Sequence, residues 1–454
     1  IKDTTKASLE SSAKMVAAQV ENQYTVAKTL GKEFRDSGSC MEDWAGLNDV
    51  DYASCTYKIE DGNATITIGG KGKFDGLNVC NGTRSNATAI EGICPISYGV
   101  GSVYITNLLQ QESTLHNGLV QTYATVNSEQ VDAGIRYVGP LTGEGAVKNQ
   151  VYFNCEDTYN EKSYGSEGYE YDDACEIWRI IGVFDVSDGN DNIEKRIKIV
   201  RDEPFKDSKG NILEISWDSS YGGKDFNTKE YYGYNAGHGI NQWGESGLYE
   251  GADLMQLLNR YYLGETVACK YCNGSNQETC SNDCISDITS LSNNAKSMIE
   301  NAMWYTGTTD EELTIPINTM YNAERSMQSG KICLSGNFCN DEVTRTTAWV
   351  GKIGLIYPSD YGYASSDEKC ASDIYGTNSP CNENNWLDPS SGYYWTISPY
   401  ASSSGADSVW SIGSSQNFYA NSADVGYGVR PVTYLKSNIQ IIGGNGGDDP
   451  FILK

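Results

Sequence analysis

The tightest grouping of reactive side chains in this sequence is Cys269, Cys272, Cys280 and Cys284. A Cys-x-x-Cys arm followed by a Cys-x-x-x-Cys arm could hold a tetrahedral zinc through thiolates. The same four could equally pair among themselves as two disulfides, and an oxidising compartment favours that reading. A second candidate is the run Asp185-Val186-Ser187-Asp188-Gly189-Asn190-Asp191-Asn192, whose oxygens suit Ca²⁺. Counted from Asp188, however, Ile193 stands where a calcium loop needs glycine, and no Glu closes the loop. Asp, Asn and Gly are also the residues a hairpin turn requires, and the turn is the reading adopted. Nucleophilic catalysis has little to work with: no Gly-x-Ser-x-Gly elbow is present. The two histidines are His116 and His238, the latter in the loop-like Asn235-Ala236-Gly237-His238-Gly239. Carboxylates for sugar cleavage are abundant, but no pair stands out. No metal or cofactor is assigned.

Recognition is better provided for. The chain has 32 tyrosines, with Tyr231-Tyr232-Gly233-Tyr234 and Tyr361-Gly362-Tyr363 in Gly-rich segments. Tyrosine offers a large contact area and a polar tip at low entropic cost. Tyr231, Tyr232, Tyr234, Tyr361 and Tyr363 are therefore candidate ligand contacts, together with Trp386. The competing reading places these tyrosines along sheet edges.

The formal net charge of −27 repels phosphate backbones and anionic lipid, so nucleic-acid binding is not expected. Fourteen cysteines, most of them close to a neighbour, read as the disulfide set of an exported protein. The expected pairs are Cys40–Cys55, Cys80–Cys94, Cys155–Cys175, Cys333–Cys339 and Cys370–Cys381. No apolar run is long enough to span a bilayer. The sequence starts at Ile1 inside a helical pattern without an initiator Met, which suggests a targeting segment removed upstream.

These residues need a scaffold, and the pattern predicts one of class α+β. Leu9, Ala13, Val16, Val20, Tyr24, Ala27, Leu30 and Phe34 recur at spacings of three and four, giving an amphipathic helix over 1–35. Asp36-Ser37-Gly38-Ser39 is expected to stop it. Strands follow at 55–59 and 64–68 around the turn Glu60-Asp61-Gly62-Asn63, with a third at 77–79. One long helix and a small cysteine-bearing sheet resemble the soluble part of a type IV pilin-like protein, here residues 1–95. That resemblance implies other pilin subunits as partners through the N-terminal helix. It also implies membrane contact only through a hydrophobic segment ahead of Ile1. The helix would then be a continuous rod projecting from a compact fold. The alternative is a helix packed on its own sheet in an ordinary domain.

Residues 96–454 carry a second series. A short helix is predicted over 103–109, and strands over 176–184, 196–202, 393–399 and 409–412; Gly134-Ile135-Arg136-Tyr137-Val138-Gly139 and Asn149-Gln150-Val151-Tyr152-Phe153-Asn154 are further pieces of the series. Helices are predicted over 254–262, with Leu254, Leu257, Leu258 and Tyr261 on one face, and over 295–304. Asn241-Gln242-Trp243 is expected to open the first of these. Gly354-Leu355-Ile356-Tyr357-Pro358-Ser359-Asp360-Tyr361 reads as a strand and turn. Trp178, Trp243, Trp349, Trp395 and Trp410 are expected in a core, and Arg179 and Arg430, if buried, need carboxylate or carbonyl partners. The closing Gly428-Val429-Arg430-Pro431-Val432, with 438–444 after it, resembles the last strands of a C-type-lectin-like module, also seen in sulfatase-modifying-type domains. The series as a whole is similar to an uncharacterised extracellular domain family of Gram-positive gut bacteria. Asn384-Asn385-Trp386-Leu387-Asp388 echoes the calcium motif of sugar-binding lectins, but in a different order, so these residues are not assigned as metal ligands.

The expectation is therefore an exported, cell-surface or pilus-borne subunit. It would be a minor or tip pilin whose adhesive head binds a surface glycan or protein and catalyses nothing. The rivals are a secreted carbohydrate-active enzyme and a structural major filament subunit.

Overall fold

A computed structural model describes residues 2–32, 34–35, 37–41, 45–48, 50–91, 99–109, 118–126, 128–190, 192–218, 241–244, 251–265, 288–307, 314–326, 346–377, 380–388, 392–400, 408–414 and 417–454. The architecture is α+β, an N-terminal helix followed by mostly antiparallel sheets. The chain divides into two compact units, Ile1–Ser97 and Tyr98–Lys454.

The first unit opens with α1 (Lys2–Thr29). Leu9, Ala13, Val16, Ala17, Val20 and Ala27 form its buried face, at the spacing the sequence predicts. The stop comes earlier than expected. Gly31 takes φ +65°, and the Lys32 amide donates to the Ala27 carbonyl, closing a Schellman turn before Leu30 and Phe34 can join the stripe. Leu30 is exposed, while Phe34 folds back against Tyr24 and Tyr57.

Strands β1 (Ser37–Ser39), β2 (Tyr52–Glu60), β3 (Asn63–Gly70), β4 (Leu77–Gly82) and β5 (Ala89–Glu91) pair in that order as an antiparallel meander. Asp61 and Gly62 both have positive φ, as a two-residue hairpin requires. The helix lies on this sheet. Leu9, Val16 and Val20 share one core with Ile66, Ile68 and Val79. Glu10 accepts from the Ala89 amide at 2.9 Å, and Glu21 accepts from the Ala64 amide at 3.1 Å. The expected projecting rod is corrected accordingly: from Leu9 to Ala27 the apolar face is spent on the unit's own sheet.

In the second unit, α2 (Gly101–Leu109) precedes β6 (Leu119–Val126), β7 (Glu129–Tyr137), β8 (Gln150–Phe153), β9 (Glu176–Ser187) and β10 (Ile193–Arg201). Further along come α3 (Ile317–Glu324), β11 (Ile353–Gly354), α4 (Pro358–Ala364), β12 (Tyr393–Pro399), β13 (Ser408–Gly413), β14 (Asn417–Ser422) and β15 (Val432–Tyr434). The main sheet runs β11-β15-β10-β9-β7-β6, with β8 on the first half of β9. Where β9 crosses β7 the approach is close: a Cβ on Gly182 would meet the Ile135 carbonyl oxygen at 2.0 Å, so no other residue fits. Asp185–Asn192 spans the end of the β9–β10 hairpin, as the turn reading expected.

Three expected elements differ. Residues 358–364 are helix α4 rather than a turn, because Pro358 presets φ at the first position. The segment 295–304 splits into a helix Asn293–Met298 and a strand Ala302–Tyr305, in which alternate residues Ala302 and Trp304 are buried. Asn241-Gln242-Trp243 is buried but not helical, and the helix Asp253–Gln256 continues as a π turn, Leu257–Tyr261, that buries Tyr262 instead of Tyr261.

Trp178, Trp243, Trp349, Trp395 and Trp410 are all buried. Arg179 donates to Asp202 at 2.5 Å and to Asn149 at 2.9 Å, and Arg430 donates to the Arg201 carbonyl at 2.9 Å. Disulfides join Cys40–Cys55, Cys155–Cys175 and Cys370–Cys381, and no described cysteine is free. These bonds are consistent with an extracellular setting. Cys80 is disulfide-bonded, while Cys94, Cys269, Cys272, Cys280, Cys284, Cys333 and Cys339 lie outside the described residues. No described helix is long and apolar enough to cross a membrane.

The Cys40–Cys55 bond closes a separation of 15 residues. Replacing both cysteines with serine is expected to cost the first unit about 3 kcal/mol, read as a lowered urea midpoint by circular dichroism. An unchanged midpoint would contradict it.

Candidate functional site

Of the side chains expected to meet a ligand, Tyr231, Tyr232 and Tyr234 lie outside the described residues, as do His116 and His238. Two others are corrected. Trp386 is 2% exposed, and its indole donates to the Tyr137 carbonyl at 2.8 Å. Tyr361 is 1% exposed, and its hydroxyl donates to Asp388 at 2.9 Å. Both are core residues. The run Tyr361-Gly362-Tyr363 is helical, so positions two apart point to different sides. Tyr361 turns inward and Tyr363 stays half-buried near the surface.

Tyr363 belongs to an aromatic patch that sequence spacing does not reveal. Its hydroxyl donates to the Tyr123 carbonyl at 3.2 Å, and the Tyr123 side chain on β6 is 52% exposed. Tyr321 on α3 meets the Tyr363 ring edge-on at 6.0 Å. The patch is held at the rim of the main sheet. Asn318 accepts from the Thr125 amide at 2.5 Å, and Asn322 donates to the Thr125 carbonyl at 2.7 Å. These contacts satisfy the outer edge of β6, which would otherwise be an open strand edge.

Beneath the patch lies a cluster of buried charge. Asp360 on α4 receives Arg136 from β7 on Oδ1 at 2.6 Å and Lys198 from β10 on Oδ2 at 2.5 Å. All three side chains are 1% exposed. Oδ2 also accepts from the Tyr357 amide at 3.0 Å. Burial alone would raise the Asp360 carboxyl, but the Lys198 ammonium and the Arg136 guanidinium together hold it well below the usual carboxylate range. Burial pulls the Lys198 amine down to about 8 against the opposing pull of Asp360. Next to this triad, fully buried Glu324 accepts from the Ser359 amide at 2.8 Å and from Arg325 at 2.8 Å. Burial pushes the Glu324 carboxyl up, opposed by Arg325 and Ser359.

The cations connect cluster and patch. Arg325 lies over the Tyr321 ring at 3.7 Å, and Arg136 lies against Tyr363 at 4.9 Å and Phe184 at 4.5 Å. Tyr123 is the exposed ring of the patch, with Tyr321 and Tyr363 half-buried beside it, and such a ring suits the apolar face of a sugar or a protein side chain. The buried charges are spent on one another.

One further carboxyl has a chemical character of its own. Burial raises half-buried Asp388 from 3.8 to about 6, although the hydrogen bond from Tyr361 works in the other direction. Such a group can deliver a proton near neutral pH. Among the described residues no group of three or more His, Cys, Asp and Glu side chains could hold a metal ion. Comparison with protein-family models, with curated proteins and with solved structures finds no match.

Removing the shared anion by Asp360→Ala leaves two buried cations unpaired and is expected to destabilise the second unit by about 3–5 kcal/mol in urea unfolding; a shift under 1 kcal/mol, roughly that of an exposed pair, would refute the cluster's structural weight. Asp388 binds its proton more tightly in the folded state. Its contribution to stability is complete below pH 3.8 and is lost as the pH rises through about 6. Asp388→Asn is therefore expected to flatten the dependence of Tm on pH across that interval, and a profile parallel to wild type would contradict this.

Proposed function

We propose that this chain is an exported, pilin-like surface subunit whose second unit is an adhesive head, binding a glycan or protein target without transforming it. The observation that carries this reading is the patch of Tyr123, Tyr321 and Tyr363. It exposes Tyr123, with Tyr321 and Tyr363 half-buried beside it, while the cations behind it are committed to buried carboxylates. Association with other subunits through α1 is supported by Met15, Val26 and Leu30, apolar side chains left exposed along the outside of the helix and at its end. The three disulfides suit the oxidising surroundings that such a subunit meets.

A second reading rests on Asp388. A carboxyl held at about 6 has the character of a general acid, which fits a secreted polysaccharide-cleaving enzyme.

Glycan and protein arrays probed with the purified chain separate the two. Saturable binding with the ligand recovered intact is expected. Tyr123→Ala, at an exposed position, should weaken it on the order of tenfold, about 1.4 kcal/mol, with Tm unchanged. Antibody to the chain should label filaments on the cells that make it. Polysaccharide turnover that disappears in Asp388→Asn would instead establish the enzyme.

A further inference from the structure

Lys198 is the one lysine fully buried among the described residues. Its Nζ lies 2.5 Å from Asp360 Oδ2, within a shell of rings: Tyr357 at 4.2 Å, Trp304 and Tyr434 at 5.5 Å, and Phe184 at 5.9 Å. We propose that Lys198 and Asp360 condense into an amide, an intramolecular crosslink joining β10 to α4.

The parts needed are in place. The ammonium first passes one proton to Oδ2 across their direct hydrogen bond, leaving a neutral amine beside a neutral acid. The nitrogen lone pair then adds to the carboxyl carbon of Asp360. The negative charge this creates falls on Oδ1, which already accepts from the Arg136 guanidinium at 2.6 Å, so the donor that holds the carboxylate also stabilises the tetrahedral intermediate. A second proton moves from nitrogen to Oδ2. The C–Oδ2 bond breaks, water leaves, and the carbonyl re-forms on Oδ1. One C–N bond replaces one C–O bond, and nothing is oxidised or reduced.

Burial supplies the driving force. In water, an ammonium and a carboxylate are favoured over an amide because both ions are hydrated. Here that hydration is absent, and a neutral amide with one expelled water replaces two desolvated ions. The lowered basicity of the Lys198 amine reflects the same environment. The rest of the cluster is not unbalanced. Arg136, Lys198 and Arg325 face Asp360 and Glu324, an excess of one positive charge, and condensation removes one charge of each sign. Arg136 keeps its bond to Oδ1 and its contacts with the Phe184 and Tyr363 rings. The inference does not depend on what the head binds.

The test is the intact mass of the full chain, reduced and denatured, with peptide mapping. The expected mass is one water below that of the sequence, with the deficit mapped to a branched peptide pair joining Lys198 to Asp360. Lys198→Arg should restore the full mass, and because the measurement is made on denatured protein a folding defect does not obscure it. A wild-type mass equal to that of the sequence overturns the proposal. So does a deficit that persists in Lys198→Arg. So does one mapped to Asp61-Gly62, Asp75-Gly76 or Asp188-Gly189, where aspartate loses water to its own backbone.

Discussion

The second unit depends on the carboxylate of Asp360. One side chain binds a strand to each side of the sheet's middle and a helix above it, through Arg136, Lys198 and the Tyr357 amide. An isolated charge so deep would be prohibitively costly, and two cations without it would be worse. The cluster therefore forms as a whole, with β7, β10 and α4 in register, or not at all. That is a constraint of specificity more than a gain in stability, since apolar side chains of similar volume would often serve as well. As an ion pair or as an amide, the Lys198–Asp360 contact imposes the same geometry.

The surface follows from this buried arrangement. α4 carries Asp360 inward and Tyr363 outward, so fixing the first places the second. Glu324 does the same for α3: it anchors to Ser359 and pairs with Arg325, whose guanidinium covers Tyr321. Asn318 and Asn322, on the same helix, close the edge of β6 beside Tyr123. A surface held this way has little conformational entropy left to lose.

Much of the scaffold was legible because its signals are local. The apolar spacing of α1, the Asp61-Gly62 hairpin and the disulfides between near neighbours each arise within a few turns of chain. The cluster was not legible. Asp360 is 224 positions from Arg136 and 162 from Lys198, and no periodicity links residues so far apart. In Arg196-Ile197-Lys198-Ile199-Val200, alternation implies a charged face toward water, yet β10 is covered on both faces and Arg196 and Lys198 are buried. Tyr361 and Trp386 misled for the opposite reason: Gly and Asn beside them suggested loops, and both residues pack inside. Tyr363 differs from Tyr361 in burial because the two stand on different sides of the helix, which the sequence did not show.

The most direct measurement is amide hydrogen exchange on wild type and Asp360→Asn under native conditions. If Asp360 anchors the helices to the sheet, the amides of α3, α4 and the outer strand β6 should exchange at least tenfold faster in the variant, while those of α1 through β5 stay unchanged. Equal protection of α3 and α4 in both proteins would show that the helices are held by packing alone and that the buried carboxylate is incidental.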